Sequence, residues 1–437
     1  MSDPANEPLF RLEIAGLPEP FVVSAFMGSE AINEPFSYDV ELLPGDAHLD
    51  LAAMLYRSVW LSFGDSGRGI HGQLHELVQH RHDGAYRVRI GPKLGCLAQR
   101  FNQRVFSART VPQIIREVLK AHGIGGHDLC LDLEKDYPPL DYCTQYRESD
   151  LRFLQRLCAQ AGLHFHFEHG RAGHCLVIAD GSRSFSPVRE ASYGAGCQAP
   201  GVHLFNVQTA ACEAQLAEGR SDLMNLHCGQ ALVLSAHPFE AWNRRWLLTR
   251  VEHRGDAGGY GNHFHAVADG QPLAADRPSK PRMLGQQRGW VAAVDESALQ
   301  MAGRVAVQFD WVYQGEGASP SHCWLPLAPE LAACGPGAID EGTEVLVSFI
   351  EGDPDRPMVS AFLGGRLSMP MENEAAGGAF HEPASSFGVD PVLLAAIQAA
   401  EPLILLCLLP GGGSFSPCGQ PVCTCRLITQ GGASSAP

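Results

Sequence analysis

The sequence is poor in charge for its length: only 18 % of its 437 residues are Asp, Glu, Lys or Arg. Lys and Arg number 32 against 48 acids, a formal net charge of −16. That balance argues against nucleic acid as a partner, because phosphate binding needs clustered cations. A basic region ahead of an apolar core is also missing at the N-terminus. "MSDPANEPLFRLEIAGL" runs directly into a strand pattern, so no secretory leader is expected. Without one, the 14 irregularly spaced cysteines read as reduced thiols of a chain made in the cytoplasm, not as a disulfide framework. Catalytic signatures are wanting as well. There is no G-x-S-x-G elbow, and "LPGGGSF" lacks the Lys-Ser/Thr that completes a phosphate loop. Cys418, Cys423 and Cys425 form C-x4-C-x-C, which is not a zinc spacing and has no matching partner pair. Nothing after Arg366 shows the long short-repeat alternation that a triple-stranded β-helix needs.

What is present is apolar and rich in turns. Hydrophobic residues make up 45 %, and 47 Gly and 30 Pro point to many turns and a β-rich architecture of two to four domains. From Leu9 to about Gly95, "FRLEIAG", "PFVVSAFMG", "FSYDVELL", "SVWLSFG" and "AYRVRIGP" alternate apolar and polar residues, as the strands of a barrel do. The period then changes. "TVPQIIREVLKAHGI" puts Val111, Ile114, Ile115, Val118 and Leu119 on one helical face, with Thr110 as its cap and Gly123 past its end. In "DYCTQYRESDLRFLQRLCAQAGLHFHFEH", Ser149 caps a second helix carrying Leu151, Leu154 and Leu157, and Gly162 ends it. "HLFNVQTA", "QALVLSAHP", "RWLLTRVEHRG" and "NHFHAVAD" suffice for another barrel. "DGQPLAADRPSKPRMLGQQRG" has no periodicity and reads as a linker. From Trp290, "GWVAAVDE", "GRVAVQFDWVY", "HCWLPLAP" and "EVLVSFIEGDPDRPMVSAFLGG" fit a compact five-stranded OB-type barrel. In its turn Gly352 tolerates positive φ, Asp353 can fold back on the backbone, and Pro354 and Pro357 fix φ. The apolar run 391–410 is interrupted by Gln398, Glu401 and Pro402, so a buried or partner-bound helix pair is expected there rather than a membrane span.

Two stretches invite a chemical reading. In "LHFHFEHGRAGHCL", alternation puts Leu163, Phe165 and Phe167 on one strand face and His164, His166 and Glu168 on the other. Two His at i and i+2 with a carboxylate at i+4 can converge on one ion, which makes these three the candidate metal ligands. The competing account, which we favour, is a polar face on a half-buried strand with no metal and no cofactor. In "QYRESD", Arg147, Glu148 and Asp150 could suggest catalysis, but acidic groups at a helix N-terminus complement its dipole, with Arg147 paired nearby. Asp353, Asp355 and Arg356 are expected to fix their turn or make contacts between subunits.

The segment Asp141–His169, with its "QYRESDLRFLQRL" and "FEH", resembles the tail-hub part of the VgrG family, the spike-tip proteins of type VI secretion. "GSEAINEPFSYDVELL" is similar to that family's first barrel, and "GRSDLMNLHCGQALVLSAHP" with "WLLTRVEHRG" to its second. "GRVAVQFDW", "CWLPLAPELA" and "GTEVLVSFIEGDPDRPMV" resemble the barrel that crowns the spike. The resemblance covers roughly residues 8–365. Tyr146, Arg147, Glu148 and Asp150, with Gly352, Asp353, Pro354, Asp355, Arg356 and Pro357, form its structural signature. It implies a mainly β fold with helical insertions (α+β). On this division 1–95 is a first hub-like β-barrel, 96–162 a helical connecting region and 163–280 a second hub-like barrel. An OB-fold-like spike barrel spans 281–365, and 366–437 is a C-terminal tail without a recognisable β-helix, favoured as an adaptor over a truncated end. The resemblance further implies a non-enzymatic homotrimer docked on the tail-tube protein and baseplate components. An effector or adaptor would ride on the tail, and the assembly would leave the cytoplasm through the type VI apparatus. The alternatives are a phage or tailocin baseplate hub, and a metal-dependent hydrolase using His164, His166 and Glu168.

Overall fold

A computed structural model describes residues 9–43, 51–63, 68–79, 85–194, 200–209, 214–271, 273, 278–294, 303–311, 322–332 and 339–363. The expected tail 366–437, with its apolar run and Cys418, Cys423 and Cys425, lies outside these residues. No helix among them is long and apolar enough to cross a membrane. The described cysteines are free thiols.

The N-terminal alternation builds six antiparallel strands. They are β1 (Phe10–Ile14), β2 (Phe21–Ala31), β3 (Ser37–Leu42), β4 (Ser58–Phe63), β5 (Arg68–Gln79) and β6 (Tyr86–Gly91). Their order is β1-β4-β5-β6-β3-β2, and β2 closes the barrel by pairing back on β1 through Arg11↔Val22 and Leu12↔Phe21. Residues of one parity, among them Leu12, Phe26, Tyr38, Val40, Leu61, Phe63, Val88 and Ile90, fill the interior.

The chain then leaves the barrel for a helical insert. β7 (Phe101–Phe106) pairs with β9 (Cys143–Ser149), and between them lie the helix Val111–Ala121 and β8 (Leu129–Asp132). The first helix begins in a reciprocal capping box: the Gln113 amide donates to Thr110 Oγ1, and the Thr110 amide to Gln113 Oε1. The second helix, Asp150–Ala161, starts at Ser149, whose hydroxyl accepts from the Arg152 amide, and stops at Gly162 in the left-handed region (φ 69°). β10 (His164–Gly170) and β11 (Gly173–Ala179) follow as a hairpin, with β8 parallel to β11. The opening of the span expected to be second barrel thus forms a separate sheet. It is tied to the first barrel by Asn33, whose amide donates to the Phe165 carbonyl and whose side chain accepts from the Phe165 amide, both at 2.9 Å.

The second barrel comprises β12 (Val188–Ser192), β13 (Val202–Thr209), β14 (Gln215–Ser221), β15 (Ala231–Ser235), β16 (Arg245–Asp256) and β17 (Gly259–Ala268). Its order is β12-β15-β16-β17-β14-β13, and the Tyr193↔Val202 bridge joins the two ends. Phe205, Leu232, Leu234, Trp246, Leu248, Val251 and Phe264 form its core. Both barrels share one sheet because β2 pairs with β16, from Ala31↔Arg250 to Phe26↔Gly255.

The last barrel contains β18 (Gln287–Ala293), β19 (Arg304–Phe309), β20 (Cys323–Pro326), β21 (Glu344–Phe349) and β22 (Pro357–Leu363), in the order β20-β19-β18-β21-β22. A parallel bridge Leu327↔Val359 brings the third strand beside the fifth, the closure expected of an OB barrel.

At the seam of the two hub barrels, Gly28 faces Tyr38 on one side and His253 on the other. A Cβ at Gly28 would stand 2.1 Å from the Tyr38 ring. Gly28→Val should therefore expel that ring from the core and cost about 1–3 kcal/mol, read as a lower urea midpoint with an unchanged slope.

Candidate functional site: the hub–barrel junction and a buried histidine seam

The two signature segments, about 200 residues apart, meet in space. The turn after β21 is built from its own backbone. Glu351 and Gly352 take φ of 57° and 73°, the Asp353 amide donates to the Ile350 carbonyl, and the Asp355 amide donates to Asp353 Oδ1 at 2.9 Å. This aims Asp355 at β9. Its Oδ1 accepts from the Thr144 amide at 2.6 Å, and the Thr144 hydroxyl donates to the Pro354 carbonyl at 3.0 Å. Arg156, 1 % exposed, donates to Glu148 Oε1 at 2.6 Å and to the Thr144 carbonyl at 2.9 Å, and lies 3.7 Å from Asp355. Lys280 bridges Asp353 and Asp355 at 2.5 and 2.6 Å. Around these charges Val105 and Tyr146 from the hub pack into the OB barrel's own apolar core.

The partner of Glu148 in "QYRESD" is therefore Arg156 and not Arg147. Arg147 sits at φ 48° on the bulged β9, exposed, with its guanidinium 5.2 Å from the Tyr146 ring centre. Lys280 and the buried Met283 come from the stretch expected to be a linker, which instead is fastened to the OB barrel. Asp150 does more than complement a helix dipole. Fully buried, it accepts from Asn102 at 2.9 Å, Arg104 at 2.7 Å, Gln145 at 2.8 Å and His122 at 2.7 Å. Burial alone would raise its carboxyl; Gln145, His122, Asn102 and Arg104 outweigh that and hold it below the ordinary range.

His164, His166 and Glu168 do not converge. His164 Nε2 meets the Ser184 hydroxyl at 3.0 Å, both nitrogens of His166 lack a hydrogen-bond partner, and Glu168 is exposed. Nor is this face half-buried. His164 and His166 are 5 % and 1 % exposed, because Phe185 packs on both rings and Gly229 lies against His166. Burial, the largest influence, pushes them down to about 4 and about 3, so both are neutral near pH 7.

Histidines outside the His164, His166 and Glu168 set, among them His169 and His174 of the same stretch, form two other groups. In the first, Ser58 Oγ lies 2.7 Å from His71 Nε2, and His71 Nδ1 lies 3.0 Å from His174 Nδ1. This has the outline of a nucleophile, a base and an orienting group, but the protons run the wrong way. The Lys93 amide donates to His174 Nε2 at 3.4 Å, so the His174 proton is on Nδ1 and points at His71. His71 Nδ1 then accepts, its proton is on Nε2, and Ser58 is the acceptor. Burial lowers both imidazoles, His174 to about 4, so neither takes up a second proton near neutrality.

In the second group Glu30, 3 % exposed, projects inward from β2. Its carboxylate accepts from the Tyr38 hydroxyl and from the Cys228 amide at 3.1 Å, and His227 Nδ1 stands 3.0 Å from Oε1. His253 Nε2 is 3.4 Å and His169 Nε2 3.9 Å from the same oxygen. Burial alone would raise the Glu30 carboxyl, but His227 and His253 facing it keep it well below the usual value. One signal for these residues was available: Glu30 and His253 have the inward parity of Phe26 and Val251 on their strands.

Two outcomes follow from the junction and its neighbour. Asp355→Ala leaves the Thr144 amide without its acceptor and removes one carboxylate from beside Arg156 and Lys280, and should split the calorimetric unfolding of hub and OB barrel into two transitions. Asp150→Asn should cost about 2–4 kcal/mol at pH 7. A carboxyl depressed in the fold stabilises fully above its unfolded pKa of about 3.9 and loses this as pH falls through the folded value. The gap between wild type and Asp150→Asn should therefore close below about pH 4 in urea titrations.

Residues 29–201 match the phage tail baseplate hub (GPD) family, and residues 287–363 match the type VI secretion system/phage-baseplate injector OB domain. The chain is 33 % identical to the type VI secretion system spike protein VgrG4b of Pseudomonas aeruginosa, over 82 % of this chain and 56 % of that protein. It is likewise 33 % identical to VgrG5 of the same organism, over 83 % of this chain and 58 % of the relative. It thus spans about half the length of these curated relatives. The solved structure of the E. coli c3393 protein, described as a type VI secretion component similar to T4 bacteriophage tail proteins gp27 and gp5, superposes with a TM-score of 0.69. That match covers 80 % of this chain and 99 % of the other at 22 % identity, a likeness of fold. With both domains in order and the hub–OB junction between them, the chain belongs to the VgrG family of type VI secretion spike proteins.

Proposed function

We propose that this chain is a structural, non-enzymatic subunit of a type VI secretion spike. Three copies would form the hub that docks on the tail-tube protein and baseplate components, and the OB barrel would carry the axis away from the tube. An effector or adaptor would attach through the C-terminal tail. The chain would be made in the cytoplasm and leave it through the apparatus.

The observation that carries this reading is the junction. A spike driven by a contracting tail needs its hub and tip to move together, and a buried network of Arg156, Glu148, Lys280, Asp353 and Asp355 resists reorientation because any misalignment leaves a charge unpaired. The proton order in Ser58–His71–His174 favours a structural over a hydrolytic role, and the divergence of His164, His166 and Glu168 weighs against the metal-dependent hydrolase. A phage baseplate hub would use the same fold in the same way, and genome neighbours distinguish the two settings.

Light scattering on the full chain at micromolar concentration should give three times the chain mass. A stable monomer would overturn the trimeric hub. In a host with a working apparatus, the protein should appear in the medium only when the sheath can contract.

A further inference from the structure

We infer that Glu30, His227 and His253, with His169 as a fourth arm, form a buried structural site for a zinc-type divalent ion between the two hub barrels. The side-chain ligand atoms of Glu30, His227 and His253 lie within 4.8 Å of one another. Measured from Glu30 Oε1, the three imidazole nitrogens stand at 3.0, 3.4 and 3.9 Å. Zinc bonds of 2.0–2.1 Å in tetrahedral geometry set neighbouring ligand atoms about 3.3 Å apart, so these spacings bracket the edge of a zinc tetrahedron.

Two independent features point to a ligand. His253 and His169 are 0 % and 2 % exposed at the side chain, and both Nε2 atoms are buried without a hydrogen-bond partner while aimed at the Glu30 carboxylate. An orphaned buried nitrogen costs about 1–3 kcal/mol, and one cation between them would satisfy both. The other face of each ligand is also braced as metal ligands are. His253 Nδ1 is 2.7 Å from the Tyr260 hydroxyl, which Asn262 also reaches at 3.2 Å. His169 Nδ1 lies 3.2 Å from the His71 carbonyl and 3.3 Å from the His71 amide, so the backbone of β5 holds the ring on the side away from Glu30. Tyr38 and the Cys228 amide orient the carboxylate.

Imidazole and carboxylate together suit zinc better than calcium or magnesium, which demand an oxygen cage. With every donor supplied by protein, the ion's role is structural. It would join β2 of the first barrel, β16 and the loop before β15 of the second, and β10 of the insert. A cavity of about 520 Å³, lined by Trp60, Arg68, His166, His169, His227 and Cys228, offers an entry path.

The test uses the full-length protein, stripped with a chelator, desalted and reloaded with Zn²⁺. It should retain about one zinc per chain by mass spectrometry of the metal, and its thermal midpoint should rise on reloading. Co²⁺ in place of Zn²⁺ should give the intense visible bands of a tetrahedral site. Glu30→Gln and His227→Gln should abolish retention, whereas His164→Gln should keep it. Should the ligand variants not fold, Tyr260→Phe retains the ring and loses only the hydroxyl bracing His253. It should weaken zinc about 10–100-fold. Wild-type protein that binds no zinc, shows no tetrahedral Co²⁺ spectrum and has an unmoved midpoint overturns the site. Zinc retained equally by Glu30→Gln and Tyr260→Phe overturns it too.

Discussion

The structure turns on the double membership of one strand. β2 pairs with β1 at Phe21 and Val22, then with β16 from Phe26 to Ala31, while β3 pairs with it from Val23 to Ser29. Its first part closes a barrel and its second opens that barrel onto another. A strand that changes partner on one edge must separate from the first neighbour as it approaches the second. Gly28 allows that approach, since the Tyr38 ring occupies the space a side chain would fill. The next inward position is Glu30, so the merging of two apolar interiors happens around a carboxylate. A buried charge tolerates little displacement, because each lost donor leaves the ion desolvated and uncompensated. Tyr38, the adjacent His227 and Cys228, and His253 come from three different segments, and the surroundings of the carboxylate are complete only when all three are in place.

The same device recurs where the hub meets the OB barrel. Replacing a buried ion pair by apolar packing is often neutral or stabilising, so the Arg156 network is not there for stability alone. Apolar packing of Val105 and Tyr146 against Val291, Val305 and Val347 holds the modules together but lets them slide. Charges with fixed hydrogen-bond directions do not. Asp355 accepting from a backbone amide on β9, and Lys280 clamped between two carboxylates, set the angle between the modules. In the axial assembly proposed above, a small tilt at this joint would displace a distant tip by far more, so the angle would be what has to be fixed.

The strands and caps were legible because their signals are local. The residue pattern marked most strands of the three barrels but not β5, β12 or β14, and Thr110, Ser149 and Gly162 marked helix ends through groups one turn away. The family signature was legible in the same way, as contiguous segments in order. What escaped were contacts made by residues far apart in the chain. His164 and His166 looked like the wet face of a strand because their cover, Phe185 and Gly229, belongs to the next module. Arg156 reads as an ordinary surface residue of a helix until β9 and the Asp355 turn close over it. Lys280 sits in an aperiodic, proline-rich stretch, and lack of period says only that no regular element is present, not that the segment is loose. A local pattern can show ligands only at spacings such as i and i+2 on one strand. Glu30, His227 and His253 instead come from three elements, each contributing one residue whose parity or position says little by itself.

The orientation of protons separates structural polarity from catalytic polarity in this molecule. A serine beside a histidine beside a second histidine would ordinarily prompt a search for a substrate. Here the Lys93 amide fixes the outermost imidazole, and its tautomer propagates inward until Ser58 can only accept. Reversing the chain would require His174 Nε2 to give up its lone-pair contact with that amide, leaving a part-buried backbone donor without this acceptor. The amide belongs to the short helical turn Lys93–Ala98, where the first barrel hands the chain to the insert. The polarity of the histidine relay is therefore set by the backbone of a module boundary. As at Glu30 and at Arg156, the buried polar groups lie where two folding units meet and serve to keep those units in register.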